Sequence, residues 1–510
     1  MFGKSRLFAF TLQQTAIEKK DFKIVILAGV IVSFFTTTFS QAEDMGFFLS
    51  VSGFVSQGYK LYVENFEIKD PLFLYSNAIA IKSLGIVGPF YLDFLISAAI
   101  LPIAYLLAME LTKSTTSSFL AALMFQLTAT GEFGQTLRSQ IMAILFILLS
   151  SYFGLRQKWV YAGIFASAVL FSKMPLLSVI AFILGPLLIL DRRVKSALQV
   201  TLGFSGFSGF ILLVLALRGE LGAYFDMVKE NFFYASSYQT IVGQSEGFIG
   251  HFQVWNGSEL RVASFVISIL LVFHLAFKKR MMTSRFFILV ISTNFGVGFF
   301  LINTAMWSHH LQIISLYVFT NSLFILYNVQ SNSPGARLIR QTSRIAKLTP
   351  SVSVSSLAVS TIVLSLLISN SGASLKSKPE MSLKNWVQPT WTTPEEINML
   401  SRASQIFPRG GRFARLGMND DMGFGAFLPP EWRFVCKRHA IIGSEPLDEI
   451  DIYLNCLRKV PDLILIAPFY ENQSNRPGNY QYYFRESQKI LSRNFNCFGY
   501  NAGYKYCIRT

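Results

Sequence analysis

The chain has 510 residues, is 52% hydrophobic with 49 Phe, and is only 15% charged, with a mean hydropathy of +0.43. A soluble domain of this size carries nearer a quarter charged residues, so the composition excludes an ordinary soluble enzyme and specifies a polytopic membrane protein. The net charge of +16 would suit nucleic acid, but its placement along the chain follows membrane topology instead.

Residues 1–42 are basic and then apolar, and Ser40-Gln41-Ala42 imitates a signal-peptide cleavage site. The basic segment is long and further apolar runs follow, so it reads as an uncleaved first helix. Runs able to span a bilayer, which needs about 20 residues, occur near 24–40, 89–109, 117–131, 138–154, 159–172, 174–190, 198–217, 262–277, 286–303, 309–328 and 353–369. That gives about eleven helices, with 72–88 as an interfacial or re-entrant extra. With the N-terminus cytoplasmic, the inner loops hold nineteen Lys and Arg and the longer outer loops up to 353 hold eight. That asymmetry obeys the positive-inside rule. It predicts an integral plasma (inner) membrane protein with 1–370 as the transmembrane domain, outer loops at 41–88 and 218–260, and an extracytoplasmic domain at 371–510.

The first outer loop reads QAEDMGFFLSVSGFVSQGYKLYVENFEIKDPLFLYS over 41–76. Glu43 and Asp44 open it. Phe47, Phe48, Val51, Phe54 and Val55 then fall at helical spacing, which predicts an amphipathic helix lying in the interface. Gly58-Tyr59 ends that helix, residues 59–68 look strand-like, and Pro71 starts the next helix. Taken alone, two acids at the end of a span are solvated boundary residues; within this block they form a carboxylate site at a water–lipid boundary.

Further along, cations gather at predicted outer ends of spans: Lys69, Arg138 and Lys173, with His309 and His310. Lys173 lies in LFSKMPLLSV between two apolar runs, where it either snorkels or meets an anion. The two histidines follow Trp307 and read either as part of an aromatic belt or as anion ligands. Asp226, Glu230, Tyr234 and Trp255 in the second outer loop can line an acceptor entrance, while Phe225, Val228, Phe232 and Phe233 fit an interfacial helix.

The tail has a different composition. RFARLG, RFVCKR and PDLILIAPFY read as strands and 393–406 and 480–492 as helices, which predicts a small α/β domain. All four cysteines, Cys436, Cys456, Cys497 and Cys507, fall here, as expected of disulfides in an oxidising space. The segment NCFGYNAGYKYC fits a hairpin closed by its own disulfide, although four cysteines allow three pairings. Within this tail no GxSxG, Walker, HExxH or GxGxxG pattern appears, and its cysteines lack the spacing of a zinc site, so no metal site is expected. Asn256 and Asn472 each begin a glycosylation sequon on the predicted outer side.

The order EDMGFF…GYKLY…KDPLFLY, followed by TLRSQ, SKMPLL and WSHHLQIISLYVF, resembles the polytopic GT-C glycosyltransferases. The similarity is to the family of protein O-mannosyltransferases and lipid A aminoarabinose transferases, and it covers about 41–330. Asp70 stands where that family often has proline, and the acid pair runs Glu-Asp. The resemblance implies a sugar donor linked to polyprenyl phosphate, a membrane lipid partner, an envelope glycan, lipid or protein acceptor, and a reaction without metal. It further implies Asp44 as base with Glu43 beside it, Lys69, Arg138, Lys173, His309 and His310 at the donor phosphate, and Tyr59, Tyr62 and Asp70 along the substrate groove. A transporter would instead set ionisable groups at the bilayer midplane in paired broken helices. An envelope scaffold would have no use for the acid-bearing loop.

Overall fold

The computed structural model describes residues 19–36, 43–63, 69–132, 139–229, 269–277, 284–303, 312–330, 405, 407, 410–416, 433–434, 436, 447–466, 480–499 and 505–510. In chain order the elements are α1 (Lys19–Thr36), α2 (Glu43–Ser56), α3 (Pro71–Leu84), α4 (Gly88–Thr112), α5 (Thr115–Gln126), α6 (Ser139–Leu155), α7 (Trp159–Ser172), α8 (Leu177–Asp191), α9 (Val194–Leu217), α10 (221–229), α11 (269–277), α12 (Arg285–Asn303) and α13 (Ile314–Gln330). The tail adds β1 (Arg412–Leu416), β2 (Arg433–Phe434), α14 (Leu447–Lys459), β3 (Leu463–Ile466), α15 (Tyr480–Asn494), β4 (Phe495–Gly499) and β5 (Lys505–Arg509).

Ten of the expected spans fall on described helices in whole or part, and the run at 353–369 lies outside the described residues. Among the described residues, three helices are long and apolar enough to cross a membrane: Gly88–Thr112, Met174–Asp191 and Val194–Leu217. Others are apolar but shorter. The 17 residues of α6 reach about 26 Å at 1.5 Å per residue, a little under the ~30 Å hydrocarbon layer.

Contacts divide the chain into two compact units, one of Met1–Thr38, Asp93–Gly209 and Gly243–Met381, the other of Phe39–Leu92, Phe210–Val242 and Ser382–Thr510. The first unit is a helical bundle with a continuous apolar core that includes Leu101, Tyr105, Phe125, Ile144, Val169, Phe300 and Phe324. Small residues set its closest approaches. A Cβ on Gly163 of α7 would lie 2.1 Å from the Val200 carbonyl oxygen of α9, and one on Gly203 would lie 2.0 Å from that of Val160. Glycine on both helices therefore lets the backbones touch, and the Ser167 and Ser208 hydroxyls, 2.8 Å apart, close the same seam. At the junction of α5 with a π-helical turn (Leu127–Glu132), the buried Gln126 amide donates to Ser33 Oγ (2.6 Å) and to the carbonyls of Gly29 and Ser97 (3.1 Å each). It ties α1, α4 and α5 together with neutral groups alone.

In the second unit, α2 packs on α3 through the edge-to-face pair Phe48 and Phe73, with ring centroids 5.6 Å apart. The five-stranded sheet of the tail runs β2-β1-β3-β5-β4, parallel among β1, β2 and β3 and antiparallel at β3–β5 and β5–β4. All four side chains of β3 are buried, as expected of a central strand covered on both faces. One face carries Ala414, Leu416, Ile464 and Ile466, in a core with Ile450, Leu454 and Leu457 of α14 and Tyr483, Ile490 and Leu491 of α15. On the other face, Phe413 meets Phe54 of α2, with centroids 6.5 Å apart.

The expected strands at 412–416 and 463–466 and the helix near 480–492 are present, and within RFVCKR the described strand residues are Arg433 and Phe434. α14 was not expected; its Ile450, Tyr453, Leu454 and Leu457 lie at helical spacing within a charged stretch. The expected helix at 393–406 lies almost wholly outside the described residues. Both disulfides form, Cys497–Cys507 across the β4–β5 hairpin and Cys436–Cys456 from the end of β2 to α14.

Candidate active site

Glu43 and Asp44 are the first two residues of α2, where the unpaired N–H groups of a helix favour negative charge. Their side chains lie outside the described residues. The expected amphipathic face is not what the helix shows, because Phe48, Leu49, Val51, Ser52, Phe54 and Val55 are all buried. α2 is thus enclosed on several sides rather than laid on a surface. Its polar end is the acid pair.

The turn after α2 goes through Gly58 at φ 98°, a left-handed conformation that suits glycine. The expected strand over 59–68 does not form in the described part, where Leu61 makes an isolated bridge and Tyr62 and Val63 turn. Tyr62 is buried at φ 65°, costing about 1–3 kcal/mol for a residue with a side chain. The surroundings hold it there. Its hydroxyl donates to the Lys69 carbonyl (2.7 Å), and its ring lies 5.7 Å from that of Tyr224.

What fixes the loop is a buried carboxylate. Glu220, fully buried just before α10, accepts at Oε1 from the Leu61 N–H (3.0 Å) and Arg218 Nε (2.8 Å), and at Oε2 from the Tyr75 hydroxyl. Arg218 also donates through Nη2 to the Tyr59 carbonyl (3.0 Å), and its guanidinium covers the Tyr75 ring at 5.3 Å. A buried charge is tolerated only when paired and hydrogen-bonded, and this one is both. Burial, then the bond to Glu220, pushes the Tyr75 hydroxyl well above the ordinary tyrosine range. Burial also raises Tyr224, and the negative charge of Asp70 adds to the effect.

Of the expected site residues, the structure brings Tyr59, Tyr62, Lys69 and Asp70 together on one loop. Tyr59 is half-buried with its ring 5.4 Å from that of Phe54, and Asp70 is buried immediately before Pro71 opens α3 as expected. The Lys69 ammonium sits 5.3 Å from the Phe48 ring centroid, a cation–π contact that anchors it to α2. Lys173 belongs to the first unit, where it is buried between α7 and a 3-10 turn (Met174–Leu176). Arg138, His309 and His310 lie outside the described residues, as do Glu230, Tyr234, Trp255, Asn256 and Asn472. Sequence reasoning missed Glu220, Tyr75 and Tyr224 as parts of this site. The only local signal was an acid two residues after Arg218 at the end of an apolar run.

No known protein-family profile matches the sequence, and no curated protein matches it. Solved structures do match by fold. The arabinofuranosyltransferase AftD from Mycobacteria aligns over 97% of this chain and 40% of its own, with 10% identity and a TM-score of 0.55. The archaeal oligosaccharyltransferase AglB from Archaeoglobus fulgidus, solved with an inhibitory peptide and a dolichol-phosphate, aligns over 96% of this chain and 74% of its own, with 9% identity and a TM-score of 0.49. The chain spans less than half the length of AftD. The likeness to AftD shows a shared fold.

Proposed function

We propose, from the GT-C-like fold, that this chain is an integral membrane glycosyltransferase. It moves a sugar from a polyprenyl-phosphate donor to a hydroxyl of an envelope glycan, lipid or protein on the extracytoplasmic side. The observation that carries the reading is the acid pair at the head of the enclosed helix α2, inside a chain whose fold aligns over nearly its whole length with a glycosyltransferase.

In the proposed reaction the acceptor oxygen bonds to C1 of the sugar while the C1–O bond to phosphate breaks, and its electron pair leaves with polyprenyl phosphate. The acceptor proton passes to a carboxylate, assigned to Asp44. Glu43 is the alternative, since neighbours on a helix point about 100° apart and only one of them faces a given groove. Lys69, Arg138, Lys173 and His309 or His310 supply positive charge for the departing phosphate. Tyr59, Tyr62 and Asp70 line the acceptor side. The tail, 371–510, is assigned to the extracytoplasmic face, where its two disulfides suit an oxidising space.

The deciding experiment measures release of free polyprenyl phosphate from a panel of polyprenyl-phosphate sugars by purified wild type and Asp44→Asn, with circular dichroism confirming that both fold. Sugar-dependent release that disappears in the variant supports donor class and base together. No release with any donor, or equal release by both proteins, overturns the assignment.

A further inference from the structure

We infer that Glu220 and Tyr224, one turn apart at the head of α10, form a two-point clamp that positions the acid-bearing outer loop, so that residues of the second outer loop set the geometry of the first. The inference rests on reading that loop as the active site. Three observations support it.

The first point of the clamp is the Glu220 carboxylate, which holds the backbone at Leu61 directly and at Tyr59 through Arg218. Because the Tyr59 N–H donates to the Phe54 carbonyl (3.1 Å), fixing Tyr59 and Leu61 fixes the exit of α2. The same carboxylate takes the Tyr75 hydroxyl, so one side chain ties the exit of α2 to the second turn of α3.

The second point is the Tyr224 ring against Tyr62. Tyr62 lies in a left-handed conformation that it leaves unless neighbours hold it. From Tyr62 the constraint passes through its hydroxyl to the Lys69 carbonyl, and thus to the start of α3. Register between the two points is fixed by α10 itself, whose first helical bond runs from the Tyr224 N–H to the Glu220 carbonyl at 2.9 Å. Glu220 and Tyr224 are accordingly positioning residues: they act on Lys69 and α2 through the loop between them.

The third observation is spacing. A Cβ on Gly219, itself at φ 70°, would lie 3.3 Å from Lys60 Nζ, so the Lys60 side chain of the loop reaches the segment just before α10.

The test compares full-length wild type, Glu220→Gln and the double variant Glu220→Gln/Arg218→Met by amide hydrogen exchange over 59–63 and by donor turnover per folded molecule. Glu220→Gln keeps the volume and removes the charge that holds both Arg218 and the Leu61 N–H. Exchange over 59–63 rises at least tenfold while α5 and α13 keep their protection, and kcat falls about 100-fold, as expected for misplaced reacting groups, with donor KM little changed. The double variant removes both charges, so it regains thermal stability but not kcat. Unchanged exchange over 59–63 in Glu220→Gln, or wild-type kcat in the double variant, overturns the clamp. An inactive wild type overturns the transferase reading by itself, because the exchange pattern reports the clamp without turnover.

Discussion

At several joints between helices of the first unit the side chains are neutral: the Gln126 amide, the reciprocal Asn294–Asn321 pair at 3.0 and 3.3 Å, and the Ser167–Ser208 hydroxyls. The second unit uses ions, with Glu220 bound by Arg218 at 2.8 Å and Asp462 gripped by Arg412 at 2.9 and 3.1 Å. Surroundings explain the contrast. Among apolar helices an amide or hydroxyl satisfies a neighbour without bringing a charge out of water. Loops at a polar boundary can carry charge, and a carboxylate such as Glu220 can be fully buried there because three donors meet it.

The largest expected effect comes from breaking the ionic side at its buried end. Glu220→Ala leaves Arg218 without its carboxylate and the Leu61 N–H without an acceptor, and should cost about 3 kcal/mol. Thermal unfolding in detergent measures the loss, and a change below about 1 kcal/mol would place the pair with ordinary surface ion pairs. Next is the seam of the bundle, where Gly163→Ala drives a methyl into the Val200 carbonyl. Overpacking of that kind costs about 2 kcal/mol, read by the same unfolding experiment, whereas Gly209→Ala has open space around it and should be nearly silent.

The neutral side is sharpened by a double-mutant cycle on Asn294 and Asn321 with leucine. A coupling of about 0.6 kcal/mol is expected; a value above about 3 kcal/mol would erase the distinction between amide and ionic bonding drawn above. The smallest effect is at Asp462. Its carboxyl is held below the usual range chiefly by the hydrogen bond from Arg412. The pair therefore contributes fully above the unfolded value of about 4, and its contribution is lost as pH falls through the folded value. The gap in amide protection at β1 and β3 between wild type and Asp462→Asn should be constant above about pH 4, below 1 kcal/mol, and should close on further acidification. A gap that widened in acid would contradict the direction of the shift.

Much of the architecture was legible in the chain because it depends on neighbours in sequence. Pro71 opens α3 and Gly58 turns the chain after α2, each from local turn or cap chemistry, and β4 pairs with β5 under the disulfide that their cysteine spacing suggested. The same local reading failed where burial came from distant partners. The apolar spacing of α2 looked amphipathic, yet Ser52 and Gly53 on its other faces are buried as well, because α3 and the strand carrying Phe413 cover it. Residues 59–63 looked strand-like, but they have no ladder partner beyond the bridge at Leu61 and are held by a carboxylate 159 positions away.

By itself, then, the sequence determined the apolar helices, the acid pair at the head of α2 and the cysteine-stapled α/β tail, since hydropathy, charge placement and turn residues act over a few residues at a time. Tertiary structure alone decided which carboxylate braces the loop, which glycines let α7 and α9 touch, and which face of the sheet meets α2. Each of those is a meeting of residues far apart in the chain, and no periodicity within one segment specifies which distant partner will satisfy a buried charge or fill the space beside a glycine.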